Sequence, residues 1–241
     1  MTDSLSILRG KDYIVSKQIT MRQPSLGEIE ELNEEKYMTM LAVFVSTPFD
    51  MIAQLDQVQI DFTQITSYQL FCACYELLDI ESTSLIFGNI DFSKFRRVEC
   101  NNKLELQYKD IIIDEEIFNK IVDCLRTFNS LSPPKFKKVA NEYTKIKMIE
   151  NAYEELELAK RRKQKYKSVL KTLISRATNH PYFKYRLDEV WDLKIYAFYD
   201  SLKSISIIEN SNHLMTGAYS GNLDLSKINK NELNWLREVN D

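Results

Sequence analysis

An abrupt change from extended backbone to helix at residues 23–28 constrains this chain more than any other feature. Pro24 disfavours the helical conformation for Gln23, so the residues before it are expected to be extended. Ser25 is a good helix N-cap, and Glu28 three residues later completes a capping box. Apolar residues then follow at helical spacing over about residues 25–45: Ile29, Leu32, Tyr37, Met40, Leu41 and Phe44. The pattern predicts short strands within residues 12–23, followed by a long helix.

Scarce glycine and proline extend this helical interpretation to the rest of the chain. Five of each occur in 241 residues, well below the usual share, which argues against barrels and glycine-rich phosphate loops. Further helices are predicted over about residues 47–56, 66–78, 114–128, 137–177 and 188–208, and from about 226. Residues 137–177 form either one helix or two helices with a break near a basic run. We expect a mainly α protein with a short N-terminal β element and a small hairpin near 96–107, turning at Asn101-Asn102.

The charges divide the chain into two unequal parts. Residues 1–134 hold 12 Lys and Arg against 21 Asp and Glu, a net charge of −9, whereas residues 135–241 hold 20 against 14, a net charge of +6. The change coincides with Ser132-Pro133-Pro134, the strongest helix-breaking stretch of the sequence. We therefore predict an acidic N-terminal helical region with short strands over 1–134 and a basic C-terminal helical region over 135–241.

No stretch of the sequence carries a catalytic or cofactor-binding signature. It has no Gly-x-Ser-x-Gly, no Gly-x-Gly-x-x-Gly and no P-loop. Cys72 and Cys74 fall on opposite sides of a helix, and neither His180 nor His213 belongs to a ligand pair. We expect no enzyme activity, no cofactor and no metal.

The N-terminus and the hydropathy pattern predict in which cellular compartment the protein is found. The first ten residues lack the basic start and apolar run of a signal peptide. No stretch approaches the roughly 20 apolar residues that cross a bilayer. We expect a cytoplasmic protein that does not engage a membrane, with its four cysteines reduced.

A basic run at residues 160–167 is the most unusual local chemistry. Six of its eight residues are cations: Lys160, Arg161, Arg162, Lys163, Lys165 and Lys167. They form a candidate partner-binding surface for an acidic protein or a nucleic-acid backbone. The alternative is a solvated helix face, paired in part with Glu154, Glu155 and Glu157. The acidic isoelectric point of about 5.6 argues against nucleic acid as the main partner.

The stretch Ile19–Ile29, Ile-Thr-Met-Arg-Gln-Pro-Ser-Leu-Gly-Glu-Ile, resembles the opening of tail-module proteins from tailed phages of Gram-positive bacteria. We place this family with the tail assembly chaperones. The similarity continues through Ser46–Met51, Leu55–Asp56, Ile60–Phe62, Thr216–Gly221 and Leu233–Leu236, so it spans nearly the whole chain.

The resemblance implies a non-enzymatic role in the cytoplasm of an infected bacterium. Tail assembly chaperones bind the tape-measure protein, keep it soluble and recruit tail-tube subunits, and are usually absent from the finished virion. Such a role fits helix-in-groove binding. One alternative is a structural tail or neck component retained in the virion; another is a nucleic-acid-binding protein that uses 160–167. Self-association and recognition by a host defence protein are further interactions compatible with such a surface.

Overall fold

The computed structural model describes residues 4–100, 103–134, 139–162 and 165–237. Within these ranges the protein is mainly α, as the sequence predicts. The helices are α1 (Ser4–Leu8), α2 (Leu26–Leu32), α3 (Glu34–Val45), α4 (Ile52–Gln57), α5 (Ser67–Cys74), α6 (Ile80–Phe87), α7 (Glu115–Phe128), α8 (Glu142–Arg162), α9 (Val169–Thr178) and α10 (Ile195–Tyr219). None of the helices in the described ranges is both long enough and apolar enough to span a bilayer.

Five short strands form two separate antiparallel sheets in the same ranges. The first pairs β1 (Tyr13–Ile14) with β2 (Thr20–Met21), which confirms the N-terminal β element. The second contains β3 (Arg96–Cys100), β4 (Lys103–Tyr108) and β5 (Ile111–Ile113) in the order β3-β4-β5. Its first two strands are the predicted hairpin, whose turn at Asn101-Asn102 lies outside the described residues. The third strand was not predicted, because three isoleucines in a row show no alternation.

The prediction of a single helix over residues 25–45 was wrong, because the chain breaks at Asn33. Asn33 has a positive φ of 90°, a conformation that asparagine tolerates better than most residues. Its side-chain oxygen accepts a hydrogen bond from the backbone N–H of Glu35 at 2.8 Å, which caps α3. Asn33 is therefore both the C-cap of α2 and the N-cap of α3.

Other helix boundaries also differ from the predictions. The segment from Pro48 begins with a 3-10 turn, Pro48–Asp50, before α4. Helix α6, capped by Asp79, was missed. Of the two alternatives for 137–177, the structure has the broken one: α8 ends at Arg162 and Ser168 caps α9.

Between residue 226 and residue 237, the last residue that the structure describes, the C-terminal segment contains no α-helix, contrary to the prediction. It forms two 3-10 turns, Leu225–Lys227 and Lys230–Leu233. The asparagine side chains before and after the second turn accept local backbone hydrogen bonds, which favours short turns over a helix. Helix α10 ends instead at a Schellman motif, in which Gly221 has a φ of 75° and the N–H of Asn222 reaches the carbonyl of Gly217 at 3.0 Å.

One continuous hydrophobic core includes residues from both sides of position 134. At its centre Phe44 stacks on Phe71, with ring centroids 5.1 Å apart, and on Phe87 at 5.3 Å. Leu170 and Phe198, from the C-terminal part of the chain, belong to the same buried cluster. A smaller cluster also joins the two parts, because the partly buried face of α8 packs on α4. The charge boundary at 134 thus does not separate two cores.

Candidate functional site

The segment that carries the phage-like opening motif docks directly on the C-terminal part of the chain. The N–H of Leu26 donates to the carbonyl of Leu193 at 3.0 Å, and the N–H of Ile195 donates to the carbonyl of Pro24 at 3.0 Å. These bonds hold Lys194 in an extended conformation. They explain why α10 begins at Ile195, whereas the hydrophobic spacing predicts a start near 188.

Gly27 allows this close approach. A Cβ atom at Gly27 would lie 3.2 Å from the backbone oxygen of Trp191, tighter than an ordinary contact. Trp191 lies in a 3-10 turn, Val190–Asp192, that packs on α2. The glycine of the motif therefore places the Trp191 side chain beside the first turn of α2.

Glu28 makes hydrogen bonds and ion pairs at the same junction, where the start of α2 meets the residues before α10. Its carboxylate accepts hydrogen bonds from the backbone N–H of Ser25 at 2.7 Å and from the guanidinium of Arg22. The ammonium of Lys194 lies 3.6 Å away. Burial alone would raise the pKa of Glu28, but the hydrogen bonds from Arg22 and Ser25 and the two positive charges together lower it to about 2.

The stability that Glu28 contributes should therefore depend on pH. A depressed folded-state pKa means that this contribution is present above the unfolded-state pKa of 4.5 and is lost as the pH falls towards 2. We expect Glu28→Gln to lower the free energy of unfolding by about 1–2 kcal/mol at pH 7, a value reduced by solvent screening of a partly exposed group. Urea denaturation of both proteins at several pH values should show this difference shrink between about pH 5 and pH 2. A difference that stays constant over this range would contradict the assignment.

A cleft opens beside this junction, between α2, α9 and residues 187–191. Its volume is about 590 Å³. Buried apolar side chains form the floor: Leu26, Ile29, Leu170 and Ile174. Tyr166, Leu187 and Trp191 form exposed walls, with Leu187 58% and Trp191 37% exposed. An apolar floor between exposed apolar walls suits the side chains of a bound partner.

Glu34 positions the wall that Tyr166 provides. Its carboxylate accepts hydrogen bonds from the backbone N–H groups of Val169 and Leu170, both at 2.9 Å. It thereby caps the N-terminus of α9 from the first turn of α3, where a negative charge also complements the dipole of α9. Burial and a hydrogen bond to Glu34 raise the pKa of Tyr166 to about 12, so this hydroxyl stays protonated at neutral pH.

Charges of opposite sign stand on the two sides of the cleft. Glu30 and Glu34 line the side formed by α2 and the start of α3, whereas Lys171 lines the side formed by α9. Lys165 and Lys167 flank Tyr166 in the sequence and are exposed. A partner bound here would meet an acidic side and a basic side across a strip of apolar contact.

The structure divides the predicted basic surface into two groups. Lys160, Arg161 and Arg162 are exposed in the last turn of α8, where cations complement the helix dipole. Lys165 and Lys167 lie in the segment before α9, and Lys163 lies outside the described residues. Arg161 pairs with Glu157 at 2.9 Å, as the solvated-face interpretation expects for that one residue. A partner-binding role for these six cations stays a prediction.

Sequence reasoning missed the cleft itself. The available signal was the spacing of Leu170, Ile174 and Ala177, which marks one apolar face of α9. Nothing local connects that face to α2, which precedes it by more than a hundred residues. Within the described ranges, no group of three or more His, Cys, Asp or Glu side chains is placed to hold a metal ion.

A comparison with known protein families finds a similarity in the C-terminal third of the chain. Residues 161–240 match the family model of the YomV second domain. This is a Bacillus phage-type family, so the match is consistent with a phage protein. No curated protein and no solved structure shows a significant match. The YomV-like segment includes α9, Leu187 and Trp191, so it supplies two sides of the cleft, and α2 supplies the third.

Proposed function

We propose that this protein is a phage tail assembly chaperone that binds an amphipathic helix of the tape-measure protein in the cleft between α2 and α9. The observation that carries the proposal is the cleft, with its buried apolar floor, exposed aromatic walls and oppositely charged sides. This is the surface that helix-in-groove recognition requires. Binding is reversible and involves no chemical step.

The charges of the cleft specify the kind of helix it would hold. Apolar side chains at i, i+3 or i+4, and i+7 would enter the strip above Ile29 and Ile174. Cations on one flank of that helix would face Glu30, and carboxylates on the other flank would face Lys171. A tape-measure protein, as a long helical client, offers many such segments. A chaperone bound to one of these segments shields its apolar stripe from other copies of the tape-measure protein until tail-tube subunits are recruited.

Two sequence relationships support this function. The residues from Ile19 to Ile29, which resemble the opening of phage tail-module proteins, contribute Leu26 and Ile29 to the floor of the cleft. The segment similar to the YomV second domain contributes the facing side, and that family is consistent with a phage protein. Both relationships therefore converge on one surface.

The test is binding to the tape-measure protein encoded by the same phage, by co-expression, pull-down and titration of the purified proteins. We expect the double variant Leu187→Ala/Trp191→Ala to bind about 10–100 times more weakly, because tryptophan anchors dominate interface energies and Leu187 adds apolar groove surface. Leu77→Ala is the matched control: Leu77 is 75% exposed and does not line the cleft, so affinity should not change.

Four outcomes would count against the proposal. Absence of a complex with either the tape-measure or the tail-tube protein would contradict it, as would unchanged affinity of the double variant. Abundant peptides of this protein in purified virions would favour the structural tail or neck component. Salt-dependent DNA binding that is lost in Arg161→Glu/Arg162→Glu would favour the nucleic-acid-binding alternative.

A further inference from the structure

Strand β3 forms an exposed edge of the three-stranded sheet. It pairs with β4 on one side, and in the described residues no strand pairs with its other side. All five of its residues are exposed. A free strand edge presents backbone N–H and C=O groups that can pair with another strand.

The side chains of β3 are complementary to a second copy of the same strand. Arg97 and Glu99 lie on one face, two residues apart, with Val98 between them on the other face. If two β3 strands pair antiparallel about Val98, Arg97 of each copy lies opposite Glu99 of the other. Val98 then faces Val98, and Arg96 faces Cys100. The pairing thus makes two ion pairs of opposite charge on the same face of the joined sheet.

The same charges disfavour the neighbouring registers in which two β3 strands could pair. A two-fold axis perpendicular to the sheet keeps each residue on its own face, so one β3 strand can slide past the other only in steps of two residues. Each such step moves the centre of the pairing by one residue. Pairing about Arg97 would place two Arg97 side chains opposite each other, and pairing about Glu99 would do the same with two carboxylates. Like charges directly opposite are destabilising. The sequence Arg-Arg-Val-Glu-Cys therefore selects one register.

From this arrangement we propose that β3 is a self-association site, at which two copies of the chain join their sheets antiparallel about Val98. Charged residues of one sign commonly protect a strand edge from pairing, but here both signs occur on one face in a self-complementary order. Arg97 already contacts Glu76 at 3.0 Å, and both side chains are about half exposed or more. Glu99 of the second copy would become a second carboxylate partner of Arg97.

A charge-swap series tests the proposal by sedimentation velocity of the full chain over a range of concentrations. The strand is short, so we expect a weak dimer, with a dissociation constant of about 10–100 µM. Arg97→Glu and Glu99→Arg should each weaken the dimer about tenfold or more, because each places like charges opposite each other twice. The double variant Arg97→Glu/Glu99→Arg should restore it. Glu76→Gln, which removes the carboxylate that pairs with Arg97 within one chain but leaves β3 and the contact of Arg97 with Tyr75 unaltered, should leave the dimer intact.

Cross-linking tests the register independently of the charges. In a Cys100→Ser background, Val98→Cys should form a disulfide-linked dimer on mild oxidation, since directly opposed residues are close enough for this bond. Cys100 of the unaltered protein should not cross-link, because the two Cys100 residues would be about 13 Å apart along the strands. A wild-type monomer at every concentration would overturn the proposal, as would single variants without effect or failure of the double variant to restore association. Circular dichroism establishes that each variant is folded.

Discussion

Phe44→Ala is expected to lower the free energy of unfolding by about 3–5 kcal/mol, the range typical of a large buried aromatic residue. Phe44 is buried from solvent, stacks on Phe71 and Phe87, and meets Phe92 edge-on at 5.3 Å. Its removal would create a cavity in the most densely aromatic part of the core. Neighbouring rings held by their own helices cannot collapse fully into that space.

Urea denaturation followed by far-ultraviolet circular dichroism measures this effect. The control is Tyr219→Ala, which removes a similarly large aromatic ring from the exposed end of α10 and should change stability by less than about 0.5 kcal/mol. A loss below about 1.5 kcal/mol for Phe44→Ala would show that the aromatic cluster is not the packed centre described above.

Phe198→Ala is expected to destabilise the whole chain by about 3–5 kcal/mol and to leave a single unfolding transition. Phe198 is buried in α10, and its ring meets Phe183 at right angles, with centroids 6.2 Å apart. It belongs to the same core cluster as Phe44. Loss of the packing around Phe198 should therefore lower the stability of the chain on both sides of residue 134.

Two probes separate a shared core from two independent regions. Both tryptophans, Trp191 and Trp235, lie in the C-terminal part, whereas circular dichroism reports on helices throughout the chain. Coincident transitions by the two probes, both shifted to lower urea, are the expected result. If the basic region 135–241 folded by itself, fluorescence would shift in Phe198→Ala while much of the dichroism signal kept its original midpoint.

Local signals predicted much of the secondary structure, because helix starts depend on short-range chemistry. The capping box at Ser25 is confirmed, and α5 and α7 begin close to the predicted starts near residues 66 and 114, where Thr66 and Asp114 are the N-caps. The errors have local causes too: a tolerated positive φ at Asn33 divides one predicted helix. Helix α6 was missed although Asp79 is a good N-cap, because its eight residues carry no long apolar stripe.

The candidate site was not predictable, because it depends on pairings between distant residues. Glu34 caps α9 across 135 residues of sequence, and Gly27 contacts Trp191 across a still longer stretch of the chain. In the sequence, Glu34 lies within the helix predicted over residues 25–45, and no local pattern links it to residues 169–170. The basic run at 160–167 could be predicted as a candidate surface because its unusual composition is local in the sequence. The apolar floor of the cleft could not, because its four side chains are ordinary and come from distant parts of the chain.

The capping of α9 by Glu34 also bears on the order of events during synthesis. Residues 26–34 leave the ribosome long before residues 166–191, so a nascent chain carries Leu26 and Ile29 without the elements that later cover their flank. The Glu34 carboxylate can accept its two hydrogen bonds from the backbone N–H groups of Val169 and Leu170 only after those residues have been synthesised. The cleft proposed to bind a partner helix is therefore completed only late in translation, because a growing polypeptide lacks α9 and residues 187–191 until then.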